Sequence, residues 1–329
     1  MSKCVSLLLA SFIALSLRSA AALEDVTAIA SSFVGGSPSL AEGYTFENTA
    51  RPITGLTTGV SNYAILGVAN NVFVRRNGVS PNQSSVWYAD GTAPNLAGVH
   101  QNNYAQMLLS NNLNAGSDNT FSNAGTGPTT GNIERLDFTW NSSVTVSNAL
   151  AFGIFDRGVA ALHDSFAIAA ITAVDVLGNP TAFGSLLKVA SGWGGGSNPG
   201  ADMSYRLFRY NNGDAISAST ESAETNRQGI GGVIVRAFDL GLVPGQQIYG
   251  YSLMSVDVTA TNSTQLLDWT NGTFFPTNSD GTTGGGGIDL AAVNGLAFIA
   301  VPEPATWGFL LVGLGFAGFC AARKQRSLV

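Results

Sequence analysis

Cysteine is absent from the body of this 329-residue sequence, because its two cysteines, Cys4 and Cys320, lie close to the two ends. A stretch without thiols forms neither a disulfide framework nor a thiolate metal site, and it offers no cysteine nucleophile. An all-histidine zinc site is excluded as well, since the only histidines are His100 and His163. The region between the ends must therefore be stabilised by ordinary burial of apolar side chains.

Charged side chains are also scarce, at 11% of residues, compared with about 25% in typical soluble proteins. Ten of the 15 basic residues and 20 of the 21 acidic residues lie between residues 23 and 301, which gives that region a net charge of −10. Because an acidic region repels phosphate backbones, we expect no nucleic-acid partner.

The first 22 residues have the layout of a secretory signal peptide. Lys3 precedes an apolar run over residues 5–17, and small residues follow, including Ala20 and Ala22. As a helix, this run would reach only about 20 Å, which is short of a hydrocarbon layer of about 30 Å. We therefore expect export through the Sec translocon and cleavage by signal peptidase after Ala22.

Residues 301–329 combine a proline motif, an apolar run and a basic cluster. The motif is Val301-Pro302-Glu303-Pro304, the uncharged run covers residues 304–322, and the basic cluster over residues 323–326 contains Arg323, Lys324 and Arg326. As a helix, the run would span about 28 Å, enough to cross a bilayer. The basic cluster predicts a stop-transfer signal with its C-terminal side in the cytoplasm, so the preceding region is expected outside the inner membrane.

This arrangement resembles the PEP-CTERM sorting signal of Gram-negative bacteria. The resemblance implies recognition by an exosortase, a membrane-embedded cysteine transpeptidase that removes the tail near Pro302 to Pro304 and passes the protein to the cell surface. The prolines on both sides of Glu303 keep the chain extended and short of amide donors, which suits a protease cleft. A plain tail anchor is the alternative.

Between the ends, short apolar or alternating segments are separated by Gly, Asn, Asp, Pro and Ser clusters, a pattern typical of strands and turns. We predict strands at residues 65–75, 133–140, 150–155, 166–176, 186–190, 205–210, 232–240, 248–258 and 296–301, and one short helix at residues 103–111. Since no βαβ alternation is present, we expect an all-β fold, an antiparallel β-sandwich of jelly-roll-like arrangement, over residues 23–300. A Gly- and Asn-rich segment at residues 114–132 is a possible subdivision of this domain.

Residues 131–300 also resemble the extracellular sandwich domains found in front of this sorting signal in exosortase-dependent surface proteins. The segments that carry this likeness are residues 132–138, 155–158, 249–253, 268–271 and 275–277. The likeness implies no catalytic activity.

Candidate chemistry in the middle of the chain is sparse. Asp156 and Arg157 lie near His163 and Asp164, but no nucleophile or second metal-ligand motif accompanies them, so structural hydrogen bonding is the expected role. Asp280 and Asp289 are weak candidates for a calcium site in a Gly-rich loop, and Asp156, Asp164 and Asp175 offer similar ligands. Trp193 and Trp269 are candidate platforms for sugar rings.

These observations favour a non-enzymatic surface or extracellular-matrix protein that is associated with exopolysaccharide or biofilm. A carbohydrate-binding module, assisted by calcium or not, is the alternative. A glycosidase that uses a carboxylate pair such as Asp156 and Asp164 is a third hypothesis. No other cofactor is expected.

Overall fold

The computed structural model describes residues 23–32, 39–40, 44–45, 51–78, 83–89, 104–122, 132–159, 162–194, 203–210, 221–277, 287–293 and 296–301. The predicted signal peptide at residues 1–22 and the predicted membrane helix at residues 304–322 lie outside this part of the chain.

Strands dominate the described residues. In chain order they are β1 Glu24–Ser31, β2 Ser39–Leu40, β3 Tyr44–Thr45, β4 Ile53–Thr58, β5 Asn62–Val68, β6 Asn71–Arg76, β7 Ser84–Ala89, β8 Asn112–Asp118, β9 Ile133–Thr145, β10 Leu150–Gly158, β11 Phe166–Val174, β12 Pro180–Val189, β13 Met203–Tyr210, β14 Glu221–Arg236, β15 Gln247–Met254, β16 Ala291–Ala292 and β17 Leu296–Val301. Two short helices, α1 Tyr104–Leu108 and α2 Ser263–Leu267, and a 3-10 turn, Ala237–Leu240, complete the described elements. The fold is all-β, as predicted.

Two antiparallel sheets contain fifteen of these strands. The larger sheet has the order β1-β4-β5-β17-β10-β14-β13-β7-β8-β16, and the smaller sheet has the order β12-β11-β15-β9-β6. The first strand also pairs with β14, with Glu24 opposite Ile234, so six strands of the larger sheet (β1, β4, β5, β17, β10 and β14) close into a ring. The short strands β2 and β3 pair with each other.

Strand β10 explains why the two faces of the larger sheet are both apolar. Its residues alternate between two clusters, since Phe152 and Ile154 pack between the two sheets while Ala151 and Phe155 pack on the other face, inside the strand ring. Successive side chains of a strand point to opposite faces, so a strand that is buried on both faces reads as a nearly continuous apolar run. The main core therefore lies between the sheets, and a second core lies within the larger sheet.

The outer face of the smaller sheet is covered as well. Helix α2 begins after Asn262, whose side chain accepts a hydrogen bond of 3.0 Å from the Gln265 amide and so caps the helix. Its Leu266 is fully buried in a third cluster with Ile171, Phe183 and other apolar residues. As a result, strand β9 has buried side chains on both of its faces over residues 133–140.

The structure corrects several predicted elements. The predicted strand at residues 65–75 is two strands, because the chain crosses between the sheets at Ala69 and Asn70, where the Asn70 amide donates to the Thr139 carbonyl over 2.8 Å. The predicted strand at residues 232–240 ends at Arg236 and turns into the 3-10 segment. The short helix and the last strand are confirmed.

Strands from both sides of residues 114–132 pair with each other. Strand β6 pairs with β9 in the smaller sheet, and β5 pairs with β17 in the larger sheet. The pairing therefore crosses the position at which a subdivision of the domain was considered.

Candidate functional site

The strand that precedes the proline motif is internal to the larger sheet. β17 lies between β5 and β10, with Val301 opposite Asn62 and Ile299 opposite Leu150. The amide of Ala300 donates a hydrogen bond of 2.9 Å to the carbonyl of Ala149. Because Val301 is both the last residue of this strand and the first residue of the proline motif, no linker separates the strand from the motif.

The polar residues around His163 come together at the opposite end of β10. Both carboxylate oxygens of Asp156 accept backbone hydrogen bonds: Oδ1 from the Asp289 amide at 2.8 Å and Oδ2 from the Asp164 amide at 2.9 Å. The Nδ1 atom of His163 lies 3.3 Å from the same Oδ2. Asp156 thus holds two neighbouring chain segments together from a buried position.

Arg157, the next residue of β10, is buried among aromatic rings and carboxylates. Its Nη2 atom lies 2.9 Å from Asp118 Oδ1 and also forms an ion pair with Asp289. The guanidinium carbon is 3.4 Å from the centre of the Tyr205 ring and 5.1 Å from that of Trp87. Asp118, Tyr205 and Trp87 are distant in sequence, so sequence reasoning could not attach them to this cluster.

Burial raises the pKa of Asp289 well above its usual range, and the nearby carboxylates of Asp118 and Asp156 reinforce the effect against the attraction of Arg157. Asp118 and Asp289 thus share the Arg157 guanidinium, and Asp156 lies nearby, in a buried region where like charges repel strongly.

His163 and Trp193 form a packed pair. The imidazole is fully buried, and its ring centre lies 4.8 Å from that of Trp193 in a stacked arrangement. The indole N–H of Trp193 donates to the Asp164 carbonyl over 2.7 Å. A Cβ atom on Gly231 would lie 1.9 Å from His163 Nε2, so the imidazole occupies the space that a side chain would need. Trp193, a predicted sugar platform, is 6% exposed.

Asp164 is only partly exposed, and its carboxyl group is close to this cluster. Burial raises the pKa of Asp164 to about 7, and the negative charge of Asp156 adds to the rise. A carboxyl group that keeps its proton near neutral pH has the property that general acids need. Its predicted partner Asp156 is occupied by backbone donors.

Of the two predicted calcium ligands, Asp280 and Asp289, only Asp289 lies in the part of the chain that the structure describes. Both carboxylate oxygens of Asp289 have partners within the protein: Oδ1 accepts from the Asn119 amide at 2.7 Å, and Oδ2 pairs with Arg157. Within the described ranges, no group of three or more His, Cys, Asp or Glu side chains is arranged to hold a metal ion.

Trp269, the second predicted sugar platform, belongs to a polar cluster on the outer face of the smaller sheet. The guanidinium carbons of Arg75 and Arg135 lie 4.8 Å and 5.2 Å from the centre of its ring. Both arginines pair with the buried carboxylate of Asp137, at 2.7 Å and 2.5 Å, and Ser252 donates a further hydrogen bond of 2.6 Å.

Burial alone would raise the pKa of Asp137, but the charges of Arg135 and Arg75 outweigh it and hold the pKa below its usual value. This network was not predicted from the sequence. The available signal was the polar pair Arg135 and Asp137, two residues apart on one face of a strand that otherwise reads as buried.

Residues 300–324 match the family model of the PEP-CTERM protein-sorting motif. The chain carries a PEP-CTERM sorting signal. The match begins at Ala300, inside β17, and ends at Lys324 in the basic cluster, so it covers the proline motif and the predicted membrane helix. No curated protein and no solved structure matches the chain.

The PEP-CTERM signal identifies an exported protein that an exosortase sorts, with a precursor anchored in the membrane through its C-terminal region. Of the predicted sorting residues, Val301 is described and is exposed at the end of β17. The remaining ones, Pro302, Glu303, Pro304, Arg323, Lys324 and Arg326, lie outside the described residues, as do Ala20 and Ala22 of the signal peptide. Among the described helices, none is long and apolar enough to span a membrane.

Proposed function

We propose that this protein is a non-catalytic component of the cell surface or extracellular matrix of a Gram-negative bacterium, where it associates with exopolysaccharide. In the precursor, the C-terminal tail lies in the cytoplasm and the β domain lies outside the inner membrane. The observation that carries the proposal is the PEP-CTERM signal that continues directly from an internal strand. The sorting signal thus follows the folded β domain directly, without a linker between them.

The internal bonding of the polar residues supports a non-catalytic role. Asp156 accepts two backbone hydrogen bonds, and Arg157 is held between carboxylates and aromatic rings. The imidazole of His163 is packed against Trp193 and the backbone of Gly231. Side chains that are bonded and packed this tightly within the protein stabilise its fold. A catalytic site, in contrast, needs at least one reactive group within reach of a substrate.

The sorting part of the proposal is tested by replacing residues 302–304 with three alanines in a host that has an exosortase. We expect the variant to remain in the inner membrane fraction, while the parent protein reaches the surface or the medium. Gln325→Ala is the matched control, since it changes the tail just beyond the matched residues. Surface delivery of the triple-alanine variant would contradict the proposal.

The matrix part is tested by sedimentation of the surface-released protein with exopolysaccharide from the same host. Co-sedimentation without release of sugar fragments is expected. Binding that disappears in Trp269→Ala alone would identify a carbohydrate-binding module. Release of reducing sugar that is abolished by Asp164→Asn would show a hydrolase and overturn the non-catalytic role.

A further inference from the structure

At one end of the larger sheet, the last strand, β17, ends close to three turns. Val301 lies opposite Asn62, which follows the turn between β4 and β5, and Ala300 is bonded to Ala149 in the turn between β9 and β10. The amide of Gly245 in turn donates to the carbonyl of Val146 over 2.9 Å. The turns at residues 58–62, 145–149 and 241–247 therefore lie at the same end as the start of the sorting signal.

This end is uncharged in its turns and carries exposed apolar side chains. Residues 58–62, 145–149 and 241–247 contain no Asp, Glu, Lys or Arg. Val60 is 68% exposed and Val301 is 44% exposed, and Phe238 and Val243 are exposed at the same end. We call these four side chains the apolar end.

The nearest charged groups described at this end are one arginine and two carboxylates, so the arginine offsets one of the two negative charges. Arg236 precedes the 3-10 turn and lies 3.2 Å from Glu24 and 3.6 Å from Asp239, while its guanidinium carbon is 4.3 Å from the ring centre of Phe238. Glu24 also accepts a hydrogen bond of 2.9 Å from the Tyr63 hydroxyl. These pairings lower the cost of bringing the end close to an apolar phase.

The short link between Val301 and the predicted membrane helix indicates that the lipid surface faces this end of the domain. Only Pro302 and Glu303 separate Val301 from the apolar run at residues 304–322. Even a fully extended link of three peptide units reaches about 10 Å. The headgroup layer on each side of a bilayer is about 5–8 Å thick, so a domain tethered this closely meets the lipid surface.

We propose that the apolar end, Val60, Phe238, Val243 and Val301, rests on the lipid headgroup layer while the precursor is anchored. The proposal builds on the membrane-anchored precursor and adds a defined lipid-facing surface to it. The tether supplies a high effective concentration, so a few partly exposed valine and phenylalanine side chains suffice for contact. The domain then stands on the bilayer with β17 pointing into it, and the cleavage motif lies at the lipid surface.

The opposite end of the domain provides a matched control. Leu162, beyond the far end of β10, is 69% exposed, against 68% for Val60. The two side chains are similar in size and exposure but lie at opposite ends of the sheet. A difference in signal between probes at these two positions therefore reports how the domain is oriented on the membrane, and not a difference in their exposure to solvent.

The test uses the full precursor with Cys4 and Cys320 replaced by serine, in vesicles of phosphatidylethanolamine and phosphatidylglycerol. Val60→Cys or Leu162→Cys is labelled with an environment-sensitive fluorophore, and quenching by lipids with a nitroxide in the headgroup is measured. We expect quenching at position 60 to be at least about threefold stronger than at position 162. Equal quenching at both positions would overturn the proposal.

Two further readings separate the possible failures. If the precursor does not float with the vesicles, the anchored precursor itself is wrong; if it floats and the two positions are quenched equally, only the lipid-facing end is wrong. Phe238→Ser combined with Val243→Ser should reduce quenching at position 60 about twofold or more. Unchanged quenching in that variant would mean that the tether alone sets the position, and the proposed apolar contact would be refuted.

Discussion

Glu134 provides a pH-dependent test of the core, because its carboxyl group is buried there. The side chain is 3% exposed and accepts a hydrogen bond of 2.5 Å from Asn77. Burial, opposed by this hydrogen bond and reinforced by the charge of Asp257, raises its pKa from 4.5 to about 8. The folded protein therefore holds a proton that the unfolded chain releases between these two values.

The sign follows from proton linkage. Between pH 4.5 and about 8 the folded state binds more protons at Glu134 than the unfolded state, so the contribution to stability is complete below pH 4.5 and is lost as the pH rises through about 8. Each tenfold change in proton affinity is worth about 1.4 kcal/mol, which sets an upper limit of about 5 kcal/mol for the loss. Since local rearrangement and water screen a charge that forms at high pH, we expect about 2 kcal/mol.

The change Glu134→Gln removes the ionisation and keeps an oxygen that accepts from Asn77. In urea unfolding followed by tryptophan fluorescence, the variant and the parent should have equal stability at pH 4. At pH 9 the variant should be more stable by about 2 kcal/mol. Asp268→Asn, at an exposed position, is the control and should show no gain that grows with pH. A Glu134→Gln variant that is no more stable than the parent at pH 9 would refute the reasoning.

Three further substitutions test other parts of the fold by the same unfolding assay. Asp137→Asn leaves the buried Arg135 without its carboxylate and should cost about 3–5 kcal/mol; a loss below 1 kcal/mol would show that the network contributes little. Gly231→Ala forces a methyl group into His163 and should cost about 1–3 kcal/mol or more; a neutral effect would place the imidazole elsewhere. Phe298→Ala empties a fully buried site in the last strand and should cost about 3–5 kcal/mol, whereas a small loss would mean that β17 is not part of the core.

Much of the architecture could be predicted because many strands can be recognised from the pattern of apolar residues in their own sequence. The last strand was predicted with its observed bounds, since Leu296–Val301 is an apolar run ended by Pro302, which has no amide to continue the sheet. The helix at Tyr104–Leu108 was also found. Strands β7 and β8, which contain serine, asparagine and glycine, carry no alternation and were missed, because their partners supply the burial.

The candidate clusters were harder to predict because they depend on contacts between distant segments. Asp156, Arg157, His163 and Asp164 are near in sequence, and the expected hydrogen bonding was visible from that spacing. The partner Asp118 is the last residue of β8, and Asp289 lies just before β16, which is the neighbour of β8 at one edge of the larger sheet, so only the fold brings both to β10. Nothing in the local pattern signals such a meeting.

The same limit applies to the apolar end. Each of its valines lies in a turn or at a strand end that resembles any other in the sequence. Only the strand register places them beside the exit of β17. The sorting signal, in contrast, depends on a contiguous motif and was legible from sequence alone.

The most direct test of the central account is the C-terminal residue of the protein released at the cell surface, determined by mass spectrometry in hosts with and without the exosortase. With the exosortase, we expect a mature chain that ends between Val301 and Pro304, because a cut before Val301 would enter an internal strand. Without the exosortase, the tail should remain and the protein should stay in the inner membrane. A surface protein that retains residues 305–329, or that is cut identically without the exosortase, would contradict the account.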